Sequence, residues 1–260
     1  MAPTFRTGRC TRVLLNGVDL SLILNDSERS ATVDAAETTT YATSTGGCTT
    51  DKTYIVGQKD ATISFSGMVD ASTDLVDQTI EAALGSTTEQ QYTWGPGGSS
   101  VGGRAFLTRG LGTEFTVTSP AQDVVAVSAS VQANLSRGGV WLISPSAPST
   151  STGALATVTE RTGFASTESG GSTNGAVIHF HMLSSSTNST GTVKAQHSTD
   201  GATWADLATF NYSSAAGAQR STVSGAIKEK VRGIITAKST QDPRLALALA
   251  RHIKPVVGNP

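Results

Sequence analysis

Asp51-Lys-Thr-Tyr-Ile-Val-Gly-Gln-Lys-Asp-Ala-Thr-Ile-Ser-Phe-Ser-Gly-Met-Val-Asp70 is the stretch on which the fold turns. Ala61, Ile63 and Phe65 fall on one face and Thr62, Ser64 and Ser66 on the other, the period of a half-buried strand. Upstream lies an acidic, Thr-rich run, Val33-Asp-Ala-Ala-Glu-Thr-Thr-Thr-Tyr-Ala-Thr43. Residues 25–56 carry few large apolar side chains, and the sequence predicts one long loop there, functional or disordered. Downstream, Ser72, Thr73 or Asp74 can cap a helix over 73–84, with Val76, Ile80 and Ala83–Leu84 as its apolar stripe and Gly85 as its stop.

Strand signals recur on either side. Thr11 to Leu15 leads into an Asn16-Gly17 turn, whose residues tolerate positive φ. Leu20 to Leu24 reads as a further extended apolar segment, and strands are expected at 91–94, 104–109, 113–118 and 125–133. Residues 144–153, Ser-Pro-Ser-Ala-Pro-Ser-Thr-Ser-Thr-Gly, read as an interdomain linker. Beyond it the pattern restarts at 176–183, 192–197, 207–212, 230–236 and 245–251. Leu245-Ala-Leu-Ala-Leu-Ala250 has helical propensity, but its strict alternation puts every Leu on one face of a strand. The expected organisation is a domain over 1–143, a linker over 144–154 and a β-sandwich over 155–260.

Composition narrows the function. Aromatic residues are 5% and charged residues 15% of 260, and small and β-branched residues abound, which favours sheets over a helical bundle. A net charge of -1 argues against a general nucleic-acid binder, which needs a basic surface. The longest apolar run falls far short of a membrane span, and the N-terminus lacks a signal-peptide pattern. Cys10 and Cys48 do not make a disulfide framework, and spacing alone leaves a single bridge open.

No constellation points to catalysis. His179 and His181 share a strand face and His197 lies on another strand, but carboxylate or cysteine companions for a metal are missing, so exposed strand histidines are expected. Gly95-Pro-Gly-Gly98 lacks the Lys-Ser/Thr ending of a phosphate loop and reads as a hairpin turn. There is no Gly-x-Ser-x-Gly nucleophile elbow and no arranged carboxylate pair. Trp204, presented by the Asp200-Gly201 turn, is either a sugar-stacking platform or a plug in a sandwich core. No enzyme activity and no cofactor are expected.

The order of acidic loop, Tyr54-Ile-Val-Gly-Gln-Lys-Asp60, alternating strand through Gly67-Met-Val-Asp70, and helix resembles the major tail (tail tube) proteins of long-tailed bacteriophages over about residues 5–143. The resemblance implies a mainly β fold: two packed antiparallel sheets, as a sandwich or barrel, with one flanking helix. It implies six copies per ring, with rings stacked into a tube in the tail of the virion, assembled in the host cytoplasm. Double-stranded DNA would pass through during genome ejection without specific binding. Tape-measure and terminator proteins would be further partners. It implies contacts between rings through the loop, with Val33, Asp34, Glu37, Tyr41, Lys52 and Tyr54 as candidates, and a bore whose candidate carboxylates are Asp60, Asp70 and Glu114. Residues 193–207 resemble small jelly-roll or carbohydrate-binding-module-like sandwiches appended to phage structural proteins, which makes Asp200 and Trp204 candidate surface-binding residues. Readings from other classes are a capsid decoration or carbohydrate-binding virion module and, further off, a glycan-active enzyme.

Overall fold

The computed structural model describes residues 10–37, 54–69, 75–146, 153–154, 158–159, 172–184, 189–213, 216–239 and 242–252. The elements are β1 (Arg12–Leu15), β2 (Val18–Asp19), β3 (Leu24–Glu37), β4 (Tyr54–Met68), α1 (Leu75–Ala83), β5 (Gln90–Gly95), β6 (Arg104–Thr118), β7 (Ala126–Ile143), β8 (Gly153–Ala154), β9 (Val158–Thr159), β10 (Ala176–Ser184), β11 (Gly191–Ser198), β12 (Ala205–Tyr212), β13 (Gly217–Val223), β14 (Lys230–Lys238) and β15 (Arg244–Arg251). The fold is mainly β, as expected.

Among the described residues, one sheet has ten strands, with the path β13-β10-β15-β7-β6-β5-β1-β2 and with β4 joining β3 to β7. A second sheet of five strands runs β12-β11-β14-β8, with β9 also on β14. The large sheet curls into a nearly closed barrel. Its two ends meet where the Gly17 N–H donates to His181 Nδ1 at 3.2 Å. Gly17 has φ +92°, and a Cβ there would overlap the Gly217 backbone. The Asn16-Gly17 turn is therefore both a hairpin turn and the closing contact of the barrel.

The alternation at 245–250 now has a physical meaning. Leu245, Leu247 and Leu249, with Phe180 of β10, face the second sheet, where Val193, Val231 and Ile235 complete a core. Ala246, Ala248 and Ala250 face the barrel interior with Leu14, Leu107 and Trp141. A third core lies under α1, between Leu15, Tyr92, Ile63, Phe65, Ile80 and Val131. Strands covered on both faces read as almost continuous apolar runs, and β15 and β10 do so.

Sequence and structure part company at several places. Residues 25–56 are not one loop: β3 pairs antiparallel with β4 from Leu24↔Gly67 to Glu37↔Tyr54, a long hairpin. Most side chains of β3 are polar on both of its faces, so it carries no burial signal to read. Leu20–Leu22 is a 3₁₀ turn rather than a strand, started by Asp19, whose carboxylate accepts from the Ser21 N–H at 3.1 Å. The described helix, Leu75–Ala83, lies within the expected 73–84, and residues 70–74 lie outside the described residues.

The sheet also crosses the position of the expected linker. β15 pairs with β7 through Leu249↔Val140 and Leu247↔Ile143. Arg12 and Arg244 both bind the buried Asp19 carboxylate, at 3.2 and 3.3 Å, and Arg244 also donates to the Pro145 carbonyl. Described strands from both sides of 144–154 therefore share one sheet and two cores.

Candidate functional site: an open acidic sheet and a closed polar interior

One part of the large sheet is left uncurled. β3, β4, the first half of β7 and the second half of β6 lie side by side in that order, with registers Ser64↔Ser130 and Glu114↔Ser130. α1 and the Ile63–Phe65–Val131 core cover one face. By alternation the other face carries Asp26, Glu28, Ser30 and Thr32 on β3, then Asp60, Thr62, Ser64 and Ser66 on β4. It continues with Ser128, Ser130 and Gln132 on β7 and Glu114 and Thr116 on β6. Asp26, Glu28, Asp60 and Glu114 are all exposed, and no lysine or arginine of these registers shares the face among the described residues.

Asp60 and Glu114, singled out from the sequence, thus lie on one surface, and Gln132 Nε2 donates to the Asp60 carboxylate. Asp26 and Glu28 belong to the same surface and were missed, because a stretch read as a loop has no faces. Asp70, Tyr41 and Lys52 lie outside the described residues, as does the Tyr54 side chain. Val33, Asp34 and Glu37 are exposed on the hairpin arm. The base of that arm is tied to the barrel: Trp94 Nε1 donates to Ser27 Oγ at 3.0 Å and Arg29 Nε to Ser136 Oγ at 2.7 Å. Beyond Thr62, β4 has only β3 as a strand partner among the described residues, so the arm projects from the sheet.

Both edges of this open sheet are free among the described residues. β3 pairs only with β4, and β6 leaves β5 at Gly110, with Leu84 bridging Gly112. Each free edge shows an exposed β-branched side chain, Val33 at 47% and Val117 at 51%. Unpaired edges with apolar side chains are templates for another strand.

The closed half has a polar interior of its own. His179 and His181 are buried, 1% and 0% exposed, which corrects the expectation of exposed strand histidines. β10 lies between β13 and β15 with both faces covered, so no side chain of its middle reaches water. With the Gly17 N–H on Nδ1, neutral His181 carries its proton on Nε2 and donates to Thr93 Oγ1 at 2.8 Å. The Thr93 hydroxyl then donates to His179 Nδ1 at 3.0 Å. Burial pushes His181 down to about 3. Burial, then the neighbouring His181 and Arg220, pushes His179 well below its usual range. Gln91 Nε2 donates to the carbonyls of Phe180 and Gln219, at 3.3 and 3.2 Å, and so ties β5 to β10 and β13. His197 sits on the second sheet and accepts from the Lys228 N–H at 3.1 Å, so the three histidines do not converge.

The Asp200 loop is built for shape. The Ser198 hydroxyl and the N–H groups of Thr203 and Ala202 donate to the Asp200 carboxylate and hold it well below the usual carboxylate range. Trp204 is half-buried and donates to the Gly201 carbonyl at 3.0 Å. The Arg232 guanidinium lies over its ring, 4.0 Å from the centroid, so that face of the indole is occupied.

No protein-family model and no curated protein matches the chain. Among solved structures it is similar to a chain of the tail of an empty gene transfer agent particle of C6 symmetry, at 12% identity and TM-score 0.39, over 50% of this chain and 96% of that one. It is also similar to a chain of the sheath-tube complex of an extracellular contractile injection system, at 15% identity and TM-score 0.38, over 53% of this chain and 90% of that one. The SPP1 Dit protein, a hub of the adsorption apparatus in phages that infect Gram-positive bacteria, aligns over 94% of this chain and 99% of its own at 12% identity and TM-score 0.34.

Proposed function

We propose that this chain is a structural protein of a phage-type tail, in which copies join β3 edge to β6 edge into a closed ring around an acidic bore. The observation that carries the reading is the open sheet: among the described residues it has two free edges, one face on the core, and the other face polar with Asp26, Glu28, Asp60 and Glu114 and no opposing cation. Two different edges of one molecule make a heterologous contact, which yields a ring when the rotation closes. A bore of that composition repels phosphates and lets DNA slide without adhering. Rings of six, stacked into a tube in the virion, are the form taken from the tail-tube resemblance. The projecting hairpin, with Val33, Asp34 and Glu37 exposed, would reach the next ring. Tape-measure and terminator proteins would meet the ends of such a tube.

Negative-stain electron microscopy of the purified chain tests this, with rings or tubes expected. An engineered pair, Ser30→Cys and Thr116→Cys with Cys10 and Cys48 replaced by Ser, should give a ladder of disulfide-linked oligomers ending at the ring size. A chain that stays monomeric at every concentration and forms no ladder removes the proposal.

A further inference from the structure

Three strands bring an arginine toward one end of the barrel interior. Arg109 on β6 is opposite Gln91, Arg137 on β7 is opposite Leu107, and Arg220 on β13 is opposite His179. Leu107 and His179 are buried in the interior, so the alternation of the strands sends Arg137 and Arg220 the same way. His252 follows β15 and is 3% exposed. Continuing the Leu249↔Val140 register places it beside Arg137. These groups feel one another. Arg220 is pushed down by burial and then by Arg109, with Glu89 opposing and Arg137 adding to the fall, and His252 is pushed down by burial and then by Arg137 and Arg220.

Part of their hydrogen-bonding capacity is unused. Arg137 Nε, Arg220 Nε and both ring nitrogens of His252 are buried with no partner among the described residues. Glu89 is the carboxylate close to the group, and it already receives Arg109 and Asn134. Arg109 thus binds Glu89 and Arg220 feels its charge, with the Arg137 guanidinium and the His252 imidazole beside them. Buried polar groups are normally satisfied, and buried charges are normally paired. Guanidinium forks match the oxygens of carboxylates and phosphates, and a neutral imidazole can donate one further hydrogen bond.

We propose that this end of the barrel is a binding site for a compact oxyanion, held by Arg137, Arg220 and His252 with Arg109 at its mouth. The ligand chemistry is a phosphate or carboxylate group. It comes either from a free anion or from a side chain of a second copy. A cationic metal is excluded by the charge of the lining groups. The site lies inside the curled half of the sheet, away from the open acidic face, and does not depend on ring formation.

Thermal unfolding in inorganic phosphate, at ionic strength matched with chloride, tests the site. The wild-type Tm should rise saturably, by about 5–11 °C at a hundredfold excess over Kd. Arg137→Gln/Arg220→Gln should lose that response and melt higher than wild type in phosphate-free buffer, because the repulsion is gone. Arg232→Gln, on the second sheet, should keep the full response. Should the double variant fail to fold, Arg220→Gln alone serves, with a response reduced at least tenfold in apparent affinity. Sedimentation under the same conditions separates the two sources. Phosphate that dissociates assembled protein marks a neighbour's carboxylate in the site, and phosphate that raises Tm without changing assembly marks a free anion. A wild-type response that chloride reproduces, or one that survives in the variants, overturns the proposal.

Discussion

The curled and the open parts of the large sheet share a strand yet obey different rules. β7 runs through both for 18 residues. Around Val140–Ile143 it is flanked by β6 and β15, with cores on both faces. Around Ala126–Gln132 it lies between β4 and β6, with a core on one face and an acidic surface on the other. Stability should therefore reside in the first region and assembly in the second. Substitutions that move stability should leave the second region's chemistry alone, and the reverse.

The largest effect tests the dependence of the open part on the curled part. A chain ended after Pro145 loses β10, β13 and β15 and uncovers both faces of Val140–Ile143. We expect no cooperative unfolding transition by circular dichroism, since the loss exceeds typical net stabilities of about 5–15 kcal/mol. A folded, ring-forming fragment would instead show that the open sheet stands alone. Next comes Trp141→Ala. Trp141 is fully buried, and its Nε1 donates to the Gly98 carbonyl at 3.1 Å. Denaturant titration should show a loss of about 3–5 kcal/mol. Gly17→Ala forces a side chain into the barrel closure at φ +92° and should cost on the order of 3 kcal/mol. If Tm hardly moves, the barrel is not closed at that turn.

Acid should weaken the curled region specifically. His179 and His181 are held neutral when folded, while in the unfolded chain they titrate near 6.5. Above about pH 6.5 they are neutral in both states and do not affect stability. Below it only the unfolded state gains their protons, so stability falls, by about 1.4 kcal/mol per pH unit for each histidine, until the folded pKa is reached, about 3 for His181. His181→Gln should flatten the loss between pH 6 and 4 in a pH series of urea titrations. An unchanged slope would place the acid sensitivity elsewhere.

The smallest effect on stability should come from the open face. Glu28→Gln or Asp60→Lys should stay within about 0.5 kcal/mol of wild type. In a tube, the lysine should permit assembly yet slow DNA passage, and raised salt should relieve the slowing within about a Debye length. Assembly lost with Asp60→Lys, or passage indifferent to it, would detach this face from a conduit.

How much of this was legible follows from the same contrast. The alternation at 61–65 and at 245–250 gave correct strands, because each face has a distinct environment. β3 stayed hidden, since it is polar on both faces and only its pairing with β4 makes it a strand. The Pro/Ser/Thr stretch at 144–153 marks a connection, but composition cannot say that the chain returns to the same sheet beyond it. The histidines were misjudged because polarity stood for exposure. The surrounding run Ala176-Val-Ile-His-Phe-His-Met-Leu183, apolar on both faces, was the signal that they are inside. The arginine cluster left no trace in spacing at all, because β6, β7 and β13 bring it together only through the curl of the sheet.

The place of β15 also has a consequence in time. It is the last described strand to be made, and it inserts between β7 and β10. Roughly 100 residues separate Ile143 from Arg251, so at ~5–20 residues per second the ribosome leaves the inner edge of β7 without its partner for ~5–20 s. Pairings over such sequence distances form slowly. Throughout that interval the nascent chain offers an unfinished edge beside the two free edges of the open sheet. The cell therefore meets this molecule first as a client for protection and only later as a finished fold.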